Sequence, residues 1–114
     1  MHARMLDERF SVSEQITVGD VPAVAAAGFR SIVCNRPDGE GWGQPNFAEI
    51  EAAANAAGMK AVYIPIVPGQ MDAAHVARFA DLMRTLPGPV FGYCKSGARA
   101  AGLWQAAQAS LATR

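Results

Sequence analysis

The chain switches repeatedly between two spacings of apolar residues. Segments in which apolar positions recur every three or four residues predict helices. Each is followed by a short β-branched or aromatic run, which predicts a buried strand. The helical segments read "VPAVAAAG", "FAEIEAAANAAG" and "FADLMRTLPG", and the runs after them read "FRSIVCN", "MKAVYIPIV" and "PVFGYC". Gly28, Gly58 and Gly88 stand at the joints, thirty residues apart. A glycine just past a helix end supplies the left-handed backbone that closes the last turn. The segments share spacing but not side-chain pattern, so they predict successive αβ units rather than a solenoid.

The predicted elements are an edge strand in "RFSVSEQI", a first helix, a strand at 31–35 and a helix at 46–57. A strand at 61–67, a helix at 72–86, a strand at 89–93 and a helix at 98–112 complete the order. Thr17 or Asp20 caps the first helix, with Pro22 in its first turn. In 72–86, Val76, Phe79, Met83 and Leu86 form one stripe, with Arg78, Asp81 and Arg84 elsewhere and Asp72 as N-cap. In 98–112 the stripe is Leu103, Trp104, Ala107 and Leu111. Strands alternating with helices predict an α/β fold. The expectation is one domain over 1–114, with a mainly parallel four- to five-stranded sheet and helices on both faces.

Composition narrows the functional classes. Half of the chain is hydrophobic, 51%, which is enough for one core. Ten basic residues balance ten acidic ones, leaving no charge footprint for nucleic acid or a membrane surface. No apolar run is long enough to span a bilayer. The start, "MHARMLDERFSVSEQ", does not resemble a secretory signal. The two cysteines, Cys34 and Cys94, form neither a disulfide framework nor paired metal-ligand spacing. No nucleotide-binding fingerprint is present. His75 lacks a second ligand at helical spacing, and His2 is terminal. These features predict a cytoplasmic protein without cofactor, metal, nucleic-acid or membrane partner.

The chemistry concentrates in "YCKSGARA", Tyr93 to Ala100. Cys94 ends an apolar strand, where parallel α/β sheets bind ligands. Lys95, Ser96, Gly97 and Ala98 must curl before the next helix begins. Their backbone N–H groups, with the helix N-terminus, form an anion-binding concavity. Arg99 adds a planar fork of donors for an oxyanion. The same field favours the thiolate, with a pKa of about 3.5–7.5 in comparable sites. The alternative is a buried structural cysteine before an ordinary turn.

The spacing C-x-S-G-x-R resembles the active loop of rhodanese sulfurtransferases and, more loosely, the phosphate loop of cysteine phosphatases. The segments "SVSEQIT", "AGFRSIVCNRPDGE", "QPNFAEIEAAANAAGM", "YIPIVPGQM" and "YCKSGARAAGLWQ" closely resemble the bacterial β-lactamase-hydrolase-like, phosphatase-like domain family, across nearly all of residues 4–110. That resemblance implies a fold like that of dual-specificity phosphatases and either phosphatase-like or sulfurtransferase activity. It also implies a functional link to persulfide dioxygenases of the metallo-β-lactamase type.

Compared with the phosphatases, this loop is one residue shorter between Cys94 and Arg99. Tyr93 replaces the usual histidine, Ala100 replaces the usual hydroxyl residue, and Pro68 stands roughly where a general-acid aspartate is expected. A missing acid costs about 10²–10⁴-fold in phosphoryl transfer. Sulfane transfer from thiosulfate expels sulfite and needs no acid. The sequence therefore favours a sulfurtransferase that forms a Cys94 persulfide from a small anionic donor, thiosulfate or a persulfide. The alternatives are phosphomonoester hydrolysis through a phosphocysteine and non-enzymatic anion binding. Asp72 and Asp38 are candidate acids, with an N-cap and a turn as their structural roles. Ser96 is a candidate partner for the thiolate. The loop "CNRPDGEGWGQP", 34–45, reads as a wall of the site. Within it Arg36 meets substrate or pairs with Asp38 or Glu40, and Trp42 covers a ligand or packs on its own loop. Cys34 is a resolving thiol for Cys94 or a small buried hydrophobe.

Overall fold

A computed structural model describes residues 2–112. The chain runs β1 (Arg4–Asp7), β2 (Phe10–Ser13), a 3-10 turn (Val18–Asp20), α1 (Val21–Ala26), β3 (Ser31–Cys34) and α2 (Phe47–Ala56). It continues through β4 (Lys60–Tyr63), α3 (Ala73–Thr85), β5 (Val90–Tyr93) and α4 (Ala98–Ala112). The five strands form one sheet in the order β1-β2-β5-β3-β4. Only the β1–β2 pair is antiparallel. The α/β class, the parallel sheet and the cover of helices follow the expectation. No helix among the described residues is long and apolar enough to cross a membrane.

The opening differs from the expectation. "RFSVSEQI" does not provide the edge: Phe10–Ser13 is buried at every position and lies between β1 and β5. The edge is Arg4–Asp7, mostly exposed and without an apolar run that would announce a strand. Asp7 makes the turn, its Oδ1 accepting from the N–H groups of Arg9 at 2.7 Å and Phe10 at 3.0 Å. The run expected over 61–67 is a regular strand only to Tyr63, beyond which two residues of this chain segment pass for each one of its neighbour. Pairing nevertheless continues, with Ile64 N donating to Cys34 O at 2.9 Å and Ile66 N to Asn35 O at 3.0 Å.

Caps define the helix starts. Thr17 and Asp20 hold each other's backbone N–H across the 3-10 turn, so both candidate caps act in one box. Asp72 caps α3, its Oδ1 accepting from His75 N at 3.0 Å, while His75 Nδ1 accepts from Asp72 N at 3.1 Å. Gly28 and Gly58 take the expected positive φ, +99° and +82°. Gly88 does not: α3 ends at Leu86, in extended backbone, before Pro87.

The sheet separates two cores. α3 and α4 cover one face with Phe10, Val12, Val33, Phe79, Leu103 and Cys94. α1 and α2 cover the other with Val21, Ile32, Cys34, Ile50, Phe91 and Tyr93. Gly92 makes room on the first face, since a Cβ there would stand 2.5 Å from Phe10 Cζ. Phe10 crosses that gap to meet Phe79 edge-on at 5.3 Å.

Candidate active site

The strand order brings the ends of β2, β5 and β3 side by side. Cys94 follows β5, fully buried. Its N–H donates to Ser13 O at 3.4 Å, and Gln15 N donates to Lys95 O at 3.2 Å, so the segment after β2 braces the loop. The loop curls back on the sulfur: Gly97 N donates to Cys94 Sγ at 3.1 Å. Gly97 has φ +96°, a conformation a side chain resists, and a Cβ there would lie 3.4 Å from Ser13 O. Ala98 N donates to Ser96 Oγ at 3.3 Å, which turns that hydroxyl oxygen toward the loop backbone. The N–H groups of Lys95, Ser96 and Arg99 donate to no group among the described residues. They are the donors that the curled loop leaves for an anion.

Arg99 stands in the first turn of α4 and is held firmly. Nη1 and Nη2 donate to Glu40 Oε2 and Oε1, both at 2.7 Å, and Nη1 donates to Ile66 O at 3.0 Å. Glu40 also accepts from Arg36 Nε at 3.0 Å, and Arg36 Nη1 donates to Gln15 Oε1 at 3.2 Å. The Arg99 hydrogen bonds, helped by Arg36 and opposed by burial, hold the Glu40 carboxyl at about 2. Reciprocally, Glu40 above all, with Cys94 adding to it, raises the Arg99 guanidinium above its ordinary value. One carboxylate between two arginines leaves a positive charge. Glu40 alone would cancel Arg99, and Arg36 behind it restores the attraction for anions.

Arg99, Lys95, Glu40 and Asp38 line a cleft of about 410 Å3, with Pro37, Val67 and Pro68 as its apolar walls. Cys94 itself is buried and does not line the cleft, but its loop neighbour Lys95 does. Asp38 faces the cleft, while its Oδ1 accepts from Phe47 N at 2.8 Å and its N–H donates to the Tyr63 hydroxyl oxygen at 2.8 Å. Asp38 is thus both the expected turn anchor and a cleft carboxylate.

Other candidates lie elsewhere. Asp72 is an exposed cap and does not line the cleft. Arg36 is buried and does not line the cleft; of its two expected roles the structure shows the pairing with Glu40. Cys34 pairs in register with Tyr93, one residue before Cys94, and side chains alternate along a strand. The two thiols therefore belong to opposite cores, on opposite faces of the sheet. Burial raises the Cys34 thiol above its ordinary value, and its Sγ donates to Arg36 O at 3.4 Å. Trp42 does not pack on its loop; it is fully exposed.

Glu40 is the residue that sequence reasoning underrated. It entered only as a possible partner for Arg36. Nothing in local spacing says that it reaches Arg99, 59 positions away. The only available signal was a carboxylate in a loop leaving the carboxyl end of a strand.

The sequence and the fold have relatives among known proteins. The chain is 39% identical over 104 residues to the beta-lactamase hydrolase-like protein of Agrobacterium fabrum, covering 91% of this chain and 24% of that protein. A Xylella fastidiosa protein of the same description is 34% identical over 99 residues, covering 87% and 23%. The chain thus spans about a quarter of the length of these relatives. Among solved structures, a candidate phosphatase of Neisseria meningitidis superposes with a TM-score of 0.81 at 35% identity, covering 88% of this chain and 71% of that one. TpbA of P. aeruginosa shares the fold, with a TM-score of 0.58 at 17% identity over 83% and 60% of the two chains. The family model for the beta-lactamase hydrolase-like protein, phosphatase-like domain, matches residues 2–111, and the chain belongs to that family.

Proposed function

We propose that the protein is a cysteine-dependent phosphatase acting on phosphomonoesters, aryl phosphates foremost. The observation that carries this reading is the shared cleft: Arg99, fixed by Glu40, with Lys95 of the Cys94 loop and the Asp38 carboxylate in one lining. The preference for sulfur transfer drawn from the sequence rested on the shorter loop, on Tyr93 and Ala100, and on a missing acid. Asp38 supplies a cleft carboxylate from a different loop. Family membership and the Neisseria relative support the same choice.

In this mechanism the guanidinium of Arg99 and the free amides of 95, 96 and 99 hold the non-bridging oxygens. The loop yields to admit phosphorus to the sulfur. The Cys94 thiolate attacks, an S–P bond forms and the ester P–O bond breaks. Asp38 gives its proton to the leaving oxygen. Water then attacks the phosphocysteine, Asp38 takes its proton, and inorganic phosphate and the thiolate are released. A reducing cytoplasm suits this chemistry, because both cysteines are free thiols.

One observation favours a second reading, sulfane transfer: the loop holds four residues between Cys94 and Arg99, with Pro68 and Ala100 where acid and hydroxyl are expected. There Cys94 attacks the outer sulfur of thiosulfate, an S–S bond forms, and the thiosulfate S–S bond breaks to release sulfite. The persulfide passes to a thiol or to cyanide. A link to a persulfide dioxygenase belongs to this reading.

Two assays on wild type and Cys94→Ser separate them. Hydrolysis of p-nitrophenyl phosphate, abolished in the variant, supports the phosphatase. A gain of one sulfur atom by intact mass after anaerobic thiosulfate, without phosphate turnover, replaces it with the sulfurtransferase. Anion binding without either reaction leaves a binding module.

A further inference from the structure

Trp42 has no place in the chemistry above and no packing role. Its relative exposure is 103%. A tryptophan typically buries about 150–250 Å2, so leaving one wholly in water is informative where a lone exposed leucine is not.

The loop beneath it is not slack. Gly41 N donates to Gln44 Oε1 at 3.0 Å, Gln44 N to Gly41 O at 3.3 Å, and Gln44 Nε2 to Pro37 O at 2.9 Å. Gly41 lies so close to Arg36 that a Cβ would stand 2.5 Å from its Nη2. Two residues before Trp42, Glu40 is tied to Arg36 and Arg99. The same ion-paired loop that sets Arg99 therefore holds the indole up in solvent. The loop that carries the indole is thus ordered before a ligand packs on it, and only the side chain's own rotamers remain to be fixed.

The neighbouring loop after β4 repeats the feature. Val67 lines the cleft and is 49% exposed, and Met71 is 38% exposed. Of the five exposed large apolar side chains among the described residues, Trp42, Val67 and Met71 lie on these two loops, while Met5 is on β1 and Val18 in the 3-10 turn. Trp42 itself does not line the 410 Å3 cleft. Glu40, two residues before it, does line the cleft, so the indole stands on a loop that walls the cleft. The cleft side chains with Arg36 carry three positive charges against two negative ones, which suits an anion set in an apolar surround.

Resting on the phosphatase reading of the cleft, we propose that Trp42 is a specificity-determining contact for a polypeptide substrate. The phosphorylated side chain enters over Arg99, and an apolar side chain adjacent to it in the peptide packs on the indole.

The test uses binding. Two labelled phosphotyrosine peptides, with isoleucine or serine on both sides of the phosphoresidue, are titrated with Cys94→Ser and with Cys94→Ser/Trp42→Ala protein. Competition by inorganic phosphate reports the cleft itself. The isoleucine peptide binds Cys94→Ser roughly 5–30-fold more tightly than the serine peptide, and Trp42→Ala removes that margin. Equal affinity for both peptides, an unchanged margin in the variant, or no peptide binding overturns the proposal. So does a dimer that Trp42→Ala abolishes and peptide does not dissociate, which would assign the indole to a second copy of the chain. Because binding is the readout, failure to hydrolyse p-nitrophenyl phosphate retires the phosphatase reading separately.

Discussion

Replacing Glu40 with glutamine tests whether that carboxylate holds Arg99 in place or competes with substrate for it. The variant keeps one oxygen acceptor and the loop geometry, and removes the charge between the two arginines. Glu40 makes two contacts of 2.7 Å to Arg99 and one of 3.0 Å to Arg36. Its carboxyl moves from 4.5 to about 2 through them. At about 1.4 kcal/mol per pH unit, that is about 3 kcal/mol of differential interaction. The side chain is 22% exposed, and solvent screening brings the expected loss of stability at neutral pH to about 1–2 kcal/mol. At about 4 °C per kcal/mol for a domain near this size, melting falls by about 4–8 °C. Loosening the guanidinium lowers kcat/KM for p-nitrophenyl phosphate, by up to about 100-fold if the fork shifts by about 1 Å. The pH dependence has a definite sign. The folded-state value is depressed, so the stabilisation is present above about pH 4.5 and is lost as pH falls toward 2. Thermal melts of wild type and Glu40→Gln should therefore converge over that range. Tighter phosphate binding by Glu40→Gln with unchanged melting would refute the reasoning, because it would make Glu40 a competing anion rather than a holder.

Asp38→Asn keeps the acceptor for Phe47 N and removes the proton donor. It should slow hydrolysis of an alkyl phosphate by about 10²–10⁴-fold and spare p-nitrophenyl phosphate, whose leaving group needs little help; equal effects on both would take the acid role away from Asp38. Gly97→Ala forces a side chain into φ +96° against Ser13 O and should destabilise the protein by about 1–2 kcal/mol. Its slower alkylation of Cys94 by iodoacetate, compared with wild type at equal pH, would show that the loop shapes the nucleophile; an unchanged rate would confine Gly97 to the turn.

Much of this architecture was legible in local pattern. The αβ rhythm, the helix 98–112 and the cap at Asp72 all depend on residues within a few positions of one another. So does the loop from Cys94 to Arg99, where nucleophile, curl and guanidinium are contiguous. The edge strand was not legible, because "RMLD" earns its conformation only by pairing with β2. For Trp42 the sequence offered both exposure over a ligand and packing on its own loop, and could not choose between them. Whether a tryptophan packs on its own loop depends on what else fills that loop, here the Gln44 hydrogen bonds and the buried Arg36 guanidinium.

Short-range preferences thus settle which segments become helices and strands, because capping, glycine conformation and apolar periodicity are energies between near neighbours. They also place a cysteine and an arginine at one anion-binding turn. Strand order and register decide the remainder. The alignment of Cys34 with Tyr93 sends the two thiols into opposite cores. The adjacency of β3 and β5 brings the 36–44 loop over α4, where Glu40 meets Arg99. Such pairings join residues far apart in the chain, and their energies exist only once the sheet has assembled.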